Sequence, residues 1–448
     1  MLSYLKGALW LTTLTFLPSM LYAEQTALSF SDAEQRLVDV RQILIQQADV
    51  KAREAERRAL DNLNLPQVSL IVAGIAYEKD ISFNIPFVNE RAELDITKSG
   101  IRSQITVLWP LYTGGRTKAS QQIASSRISE AQAEQKLIQL HLIKRLSDLY
   151  FSNQMIRQVV AVREKTLHTI ALHVQRAKRF KEEGLITELG KMQAEVAYAE
   201  ANRELLLAQR QYTDIQAALV NLLEIDSLGC LSTSLPLPIA VSSNADWFVA
   251  QAKQANPIYQ QLAEKLKQTA ELVAIERGKK LPEVFAAASY DLNRSATPLT
   301  EPDWSIGVGV RYNFTAPVGR NASIDAALTR QEQVKLSKEQ ADADLQLAIE
   351  STYRAVLQHL EQFQLLQRDI DLAQEHARLQ NRAFEEGLAT SLEVTDAELK
   401  LAATEVRALN AAFLYVSSLA QLTQLTGQPG LLLDLLPSLT QQNACQTF

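Results

Sequence analysis

The stretch Trp304–Phe314, W-S-I-G-V-G-V-R-Y-N-F, decides how the chain is read. One set of alternate residues is Trp304, Ile306, Val308, Val310, Tyr312 and Phe314. The other is Ser305, Gly307, Gly309, Arg311 and Asn313. A period of two, with one apolar and one wet parity, marks a strand whose two faces meet different solvents. A long helical pattern without proline follows it, from Arg320 to Glu386. A mostly helical chain thus carries a long, strictly two-faced strand.

Three further segments read as candidate strands: Gln67–Tyr77, Ile101–Trp109 and Val284–Asn293. In the second, Ile101, Ser103, Ile105, Val107 and Trp109 form one face, while Arg102, Gln104 and Thr106 form the other. Each segment has the length that crosses a bilayer when tilted, about 9–11 residues. Trp109, Tyr77, Trp304, Tyr312 and Phe314 cluster at strand ends, where aromatic girdles lie. A half-buried sheet in a soluble domain gives the same alternation. Four strands cannot close a barrel, and an open edge cannot face lipid, so a membrane role requires several chains pooling strands. Three chains would supply twelve.

An internal repeat organises the chain. Aligning Gly184 in K-E-E-G-L-I-T-E-L (Lys181–Leu189) with Gly387 in F-E-E-G-L-A-T-S-L (Phe384–Leu392) also aligns Thr187 with Thr390 and Leu189 with Leu392. Without a gap, Ala194-Glu195 meets Ala397-Glu398, Tyr212 meets Tyr415, and Tyr150 meets Tyr353. With a one-residue shift, Gly115-Arg116 meets Gly319-Arg320, and L-P-Q-V at Leu65 meets L-P-E-V at Leu281. The expectation is a tandem duplication: repeats over 24–228 and 246–428, a linker over 229–245, and a tail over 429–448. Each repeat reads as a helix (Ser31–Asn64; Asp246–Lys280), a β-hairpin (67–109; 284–314), a long helix (Gly115–Glu183; Gly319–Glu386), a Gly-Leu tip at 184 or 387, and a return helix. At about 1.5 Å per residue each long helix spans roughly 100 Å. A rod of that length must bury its apolar stripes against neighbours, including other chains.

Composition agrees. Only 15 Gly and 13 Pro in 448 residues favour long helices over a loop-rich fold. A net charge of −6 with both signs interspersed leaves no nucleic-acid footprint. Residues 1–23 read as an export signal, with Lys6 before an apolar run (Ala8–Phe16) and Leu21-Tyr22-Ala23 offering the cleavage site. Beyond it no apolar run is long enough for a transmembrane helix. Export leaves Cys230 and Cys445 in an oxidising compartment, where a bridge and two unpaired thiols both stand open. The histidines (His141, His168, His173, His359, His376) sit singly along helices, and His168 and His173 point to different faces. No catalytic constellation, cofactor motif or metal-ligand spacing is present, so no enzyme activity, cofactor or metal is expected.

At these residues the chain resembles the TolC family of outer-membrane efflux proteins. The resemblance rests on the tandem halves, on P-L-Y-T-G-G-R (Pro110–Arg116) and A-P-V-G-R-N (Ala316–Asn321) at the strand-to-helix joints, and on the Gly-Leu tips. It implies a homotrimer: a twelve-stranded transmembrane β-barrel continuous with a periplasmic α-helical barrel. It implies an exit duct for a tripartite efflux or type I secretion system, joined by a periplasmic adaptor (membrane fusion) protein to an inner-membrane RND or ABC pump. It places the adaptor-docking tips at Gly184, Leu185, Thr187, Gly387, Leu388 and Thr390. It places a periplasmic gate at Glu393 and Asp396, three residues apart on one helix face. The wet strand parities, with Ser305, Arg311, Asn313, Arg102 and Gln104, would then face the lumen. Cys230 and Cys445 would both lie beside the middle of the helical barrel, where a bridge is a hypothesis. Two departures stand out. Ala389 occupies a position where close family members carry a gate-locking Arg, and Gly190 replaces the acid expected at the first tip. The competing class is a periplasmic coiled-coil scaffold without a pore.

Overall fold

The computed structural model describes residues 27–76, 81–84, 91–94, 99–294 and 302–436. The export signal at 1–23, Tyr77 and Cys445 lie outside the described residues, as does the tail beyond Leu436.

Two helices dominate: α3 (Arg116–Glu182) and α7 (Arg320–Glu385). Both start where the repeat places them, just after Gly115 and Gly319, and neither contains proline. At about 1.5 Å per residue each is roughly 100 Å long. Each reverses into a 36-residue return helix, α4 (Glu188–Leu223) or α8 (Ser391–Thr426).

The helices expected over Ser31–Asn64 and Asp246–Lys280 are each broken. The first is α1 (Phe30–Arg36) and α2 (Arg41–Ala59), followed by a 3-10 segment over Leu60–Asn64. Val40, with φ −70° and ψ 148°, is extended and breaks the path between them. The second is α5 (Ala245–Ala255) and α6 (Pro257–Gly278). Pro257 has no N–H and restricts Asn256 to extended backbone, so the break falls there. The Asn256 side chain caps the new helix at the Ile258 N–H (2.9 Å) and donates to the Leu425 carbonyl (2.7 Å).

The strands β1 (Gln67–Ala76), β4 (Ser99–Tyr112), β5 (Glu283–Arg294) and β6 (Trp304–Arg311) form one antiparallel sheet in the order β1-β4-β5-β6. Two hairpins, one from each half, therefore lie side by side. Between β1 and β4 a further small hairpin, β2 (Ile81–Asn84) with β3 (Arg91–Leu94), fills a loop in which no strand was expected. β6 ends at Arg311, so Asn313 lies beyond the strand on which it was expected. Its carbonyl instead accepts a hydrogen bond from Arg320 at the joint to α7.

Packing orders the helices in two tiers. Near the sheet the sequence of neighbours is α2–α3–α6–α7; toward the tips it is α4–α3–α8–α7. The main core lies midway, where Phe30, Tyr150 and Phe151 pack as an aromatic trio beside Leu146, Tyr415 and Leu419. Here the N-terminal segment and the inter-half linker wrap the helices. Leu28 forms a parallel bridge with Leu231. Tyr150 donates to the Leu28 carbonyl (2.8 Å) and accepts from the Thr233 N–H (3.0 Å). Gln154 donates to the carbonyls of Leu231 and Thr233, and Tyr415 to that of Ile239. Cys230, on this belt, is disulfide-bonded; Cys445, the partner expected for it, lies outside the described residues. After the last return helix a short α9 (Leu431–Leu435) folds back onto the same core.

The outer helices keep apolar stripes. Leu336, Leu347, Leu357, Leu365, Leu372 and Leu379 are exposed along α7, the last three at seven-residue spacing. Leu189, Met192, Val196 and Leu206 are exposed along α4.

Candidate functional site

Both tips are built by the same local chemistry. α3 ends in a left-handed glycine, Gly184 (φ 76°), and α7 in Gly387 (φ 75°). Only glycine takes that conformation without a Cβ penalty. The Leu185 N–H then reaches back to the Phe180 carbonyl (2.7 Å), and the Gly184 N–H to Lys181 (3.1 Å). At the second tip Leu388 bonds Ala383 (2.8 Å) and Gly387 bonds Phe384 (3.1 Å). This paired pattern is the Schellman stop. It turns the following leucine outward: Leu185 is 65% and Leu388 78% exposed. Thr187 and Thr390 then cap the return helices, accepting from Gly190 and Glu393 N–H groups. Leu185, Thr187, Leu388 and Thr390 thus lie at the two helix reversals, and the two tips meet. Between them lies a cleft of about 710 Å³ lined by Phe180, Ile186, Thr187, Phe384, Ala389 and Leu392 among others. Phe180 and Phe384 stack across it at 5.3 Å.

A cross-link that sequence reasoning missed holds the tips together. His173 of α3 is 1% exposed and its Nε2 lies 2.9 Å from the Ser391 hydroxyl at the start of α8. Its ring packs 4.7 Å from Phe384. Nδ1 is buried with no hydrogen-bond partner. Burial first, and the charge of Arg176 second, push the imidazole down to about 4, so it is neutral near pH 7. One turn on, Arg176 donates to Glu385 (2.7 Å) and Asn381 (3.3 Å) of α7. Asn381 passes the link on to Glu398 of α8 (2.6 Å). The signal was present: Ile170, His173, Val174 and Ala177 follow the apolar helical spacing of a buried face. Among the described residues no cluster of His, Cys, Asp or Glu could hold a metal.

The sheet has two chemically distinct faces. Leu70, Ile105, Tyr290 and Trp304 lie in one cross-strand row, and Val68, Val107, Ala288 and Ile306 in the next. The opposite face carries a row of hydroxyls: Ser69 bonds Thr106 (2.6 Å), and Ser289 bonds Ser305 (2.8 Å). On that face Arg102 pairs with the buried Asp291 (3.3 Å), with Gln104 opposite Asp291. Arg311 lies over the Phe285 ring (5.1 Å) and 3.9 Å from Glu283, which also binds Arg116. Gly309 is fixed by this packing, because a Cβ there would meet Phe285 at 2.6 Å. The apolar parity of β6 is exposed, with Val308 at 71%.

The family model for outer membrane efflux proteins matches residues 32–223 and 248–428. The chain belongs to that family. It is therefore an outer-membrane protein of a transport family, with its helices as a periplasmic extension. Solved structures of similar fold include CusC (16% identical, TM-score 0.75, covering 90% of this chain and 93% of CusC). VceC of Vibrio cholerae is 15% identical with a TM-score of 0.73, covering 89% and 96%. The open state of the Neisseria gonorrhoeae MtrE channel is 15% identical with a TM-score of 0.72, covering 90% and 89%. At these identities the likeness is one of fold. No curated protein sequence matches the chain.

In this outer membrane efflux protein Glu393 and Asp396 are both exposed on the first turns of α8. The Glu393 carboxylate accepts from the Thr390 N–H (2.6 Å) and hydroxyl (2.9 Å), completing a capping box. Those bonds, the backbone one first, hold its carboxyl below the usual range. Gly190 cannot do the same at the first tip, so that cap is half made. Ala389 lines the cleft, while Arg176 and His173 provide cross-links to α7 and α8 there.

Proposed function

We propose that the chain is a tandem duplication, three copies of which pool their strands into a twelve-stranded barrel continuous with a helical tube. This duct conducts substrates passively outward in a tripartite efflux or type I secretion system. An inner-membrane RND or ABC pump drives it through a periplasmic adaptor protein. One observation carries the reading: the four-stranded sheet sets a largely apolar face against one that carries the Ser69–Thr106 and Ser289–Ser305 hydroxyl pairs and the Arg102–Asp291 ion pair, and β1 and β6 are left at its edges. Edges cannot stand open in lipid. Joining β6 of one copy to β1 of the next closes them. It also sets the exposed leucines of α7 against the apolar stripe of α4 and the exposed Leu44 and Ile45 of α2. A pore-free coiled-coil scaffold would bury the helical stripes but leave the apolar face of the sheet in water.

The test is electrophoretic and electrical. Protein extracted from the outer-membrane fraction should run at three-chain mass unheated, fall to one-chain mass on boiling, and form channels in a planar bilayer. A soluble single-chain product without channels overturns the reading.

Within this duct, Gly184–Leu189 and Gly387–Leu392 are the adaptor-docking tips, supported by their outward leucines and by the cleft between them. Bulky residues at Gly184 and Gly387 would undo both Schellman stops. Unchanged adaptor cross-linking by such variants would place docking elsewhere. Glu393 and Asp396 are the gate, each giving a ring of three carboxylates. A Cys230–Cys445 bridge would tie the tail to the belt; alkylation mass spectrometry without reductant should find neither thiol free.

A further inference from the structure

The joint between sheet and helices carries a feature that neither the duct nor its gate uses. Five cations line two clefts there: Arg116, Lys279, Lys280, Arg311 and Arg320. Three have carboxylate partners. Arg116 and Arg311 share Glu283, and Lys279 pairs with Glu276 (2.7 Å). The other two meet only neutral groups among the described residues: Lys280 reaches Asn321 (2.6 Å), and Arg320 reaches the Asn313 carbonyl. Both line the same cleft, of about 600 Å³, together with Tyr312, Phe314 and Val318. Tyr312 and Phe314 pack edge to face at 4.9 Å, and Phe314 is 87% exposed. The apolar surface continues around the joint through Leu65, Trp109, Leu111, Tyr112 and Leu281, all exposed.

We infer that this cleft binds the headgroup of an anionic phospholipid, one site per chain, at the periplasmic surface of the outer membrane. The inference rests on the reading of the sheet as membrane-spanning, because that reading puts the joint at the lipid headgroup level. Charge complementarity selects the ligand: two cations with no carboxylate partner among the described residues of the chain face an exposed aromatic and aliphatic rim. Arg320 offers a planar fork to phosphate oxygens, and Lys280 a point charge. Tyr312, Phe314 and Val318 would lie along glycerol and upper acyl carbons, where amphipathic rings settle at membrane interfaces. The α7 N-terminus has no side-chain cap. Its N–H groups would add to the attraction for a phosphate, without themselves making the site.

The test uses the purified, channel-forming assembly. Native mass spectrometry would follow the uptake of short-chain phosphatidylglycerol, with phosphatidylcholine and inorganic phosphate as separate arms. Phosphatidylglycerol should bind up to one per chain, while phosphatidylcholine, whose phosphate is neutralised by choline, binds weakly. Inorganic phosphate should not displace the lipid. The double variant K280Q/R320Q should bind phosphatidylglycerol roughly thirtyfold more weakly, the worth of two basic side chains near an anionic surface. Its channel should be unchanged. A second variant, F314S/V318S, keeps the charges and should lose lipid affinity but bind no less inorganic phosphate. Equal binding of the two lipids overturns the proposal. So does displacement by inorganic phosphate, or unchanged binding by K280Q/R320Q. If K280Q/R320Q no longer assembles, the cleft belongs to a neighbouring copy, and the proposal also falls. A conducting wild-type assembly that takes up no phosphatidylglycerol sinks this site alone; failure to conduct sinks the duct reading.

Discussion

His173 is the residue whose chemistry follows most directly from its surroundings. Its neutral ring satisfies Ser391 through Nε2 and leaves Nδ1 among apolar neighbours with no acceptor. Protonation would place a second N–H and a charge in that pocket, which burial and Arg176 both oppose. The sign follows. The folded value, about 4, lies below the ordinary 6.5, so the histidine contributes its full stability above pH 6.5 and loses it as pH falls toward 4. The loss is roughly 1.4 kcal/mol per pH unit across that window. Protection factors from hydrogen exchange at the tips, each corrected for the intrinsic exchange rate at its pH, should therefore fall between pH 6.5 and pH 4, and a His173→Gln variant should show a flatter profile. Equal profiles would remove His173 as the cause. Ser391→Ala leaves Nε2 unpaired and should destabilise the tip by about 1–3 kcal/mol at pH 7, read as a lower local melting temperature.

At the scale of elements, alternation and length made most of the fold legible. The four strands, both long helices and both return helices lie where period and proline placement set them, because one backbone geometry fits each pattern. Misses arose where tertiary contacts overrule local pattern. Val40 carries no breaker signal, and its extended backbone comes into view only with the core around it. Asn256-Pro257 was a visible signal that helical periodicity on either side concealed. At the tips, turns and caps were readable from Gly and Thr, but the His173–Ser391 and Arg176–Glu385 contacts join residues more than two hundred positions apart, which no local pattern encodes. The two faces of β6 give an element-level prediction. A lysine at Val308 enters the apolar parity, whereas one at Gly307 meets open space on the polar parity. On a lipid face that charge costs about 2–4 kcal/mol near the bilayer middle. Val308→Lys should abolish heat-modifiable assembly in the outer membrane, and Gly307→Lys should keep it. The reverse order would invert the assignment of the faces.

For the proposed duct, two mechanisms would narrow the periplasmic end, and they can be separated. One is mechanical: Arg176, Asn381 and Glu398 tie α3, α7 and α8 together within each chain. The other is electrostatic and exists only in the assembly, where three copies of Glu393 and Asp396 would approach one axis. Glu393 spends its hydrogen-bonding capacity on the cap of α8, and those bonds hold its carboxyl below the usual range within the chain. Like charges gathered around a narrow opening attract cations and repel anions. Replacing Glu393 and Asp396 by Ala together should raise single-channel conductance and reduce cation preference in a planar bilayer. Thr390 would still half-cap the helix, so the fold should survive at a cost of about 1 kcal/mol. Arg176→Gln should act differently, loosening α7 from α3 and raising the open fraction while leaving ion preference intact. If the double Ala variant conducts and selects as the wild type does, the carboxylates are solvated surface charges, and the narrowing lies with the cross-links within each chain.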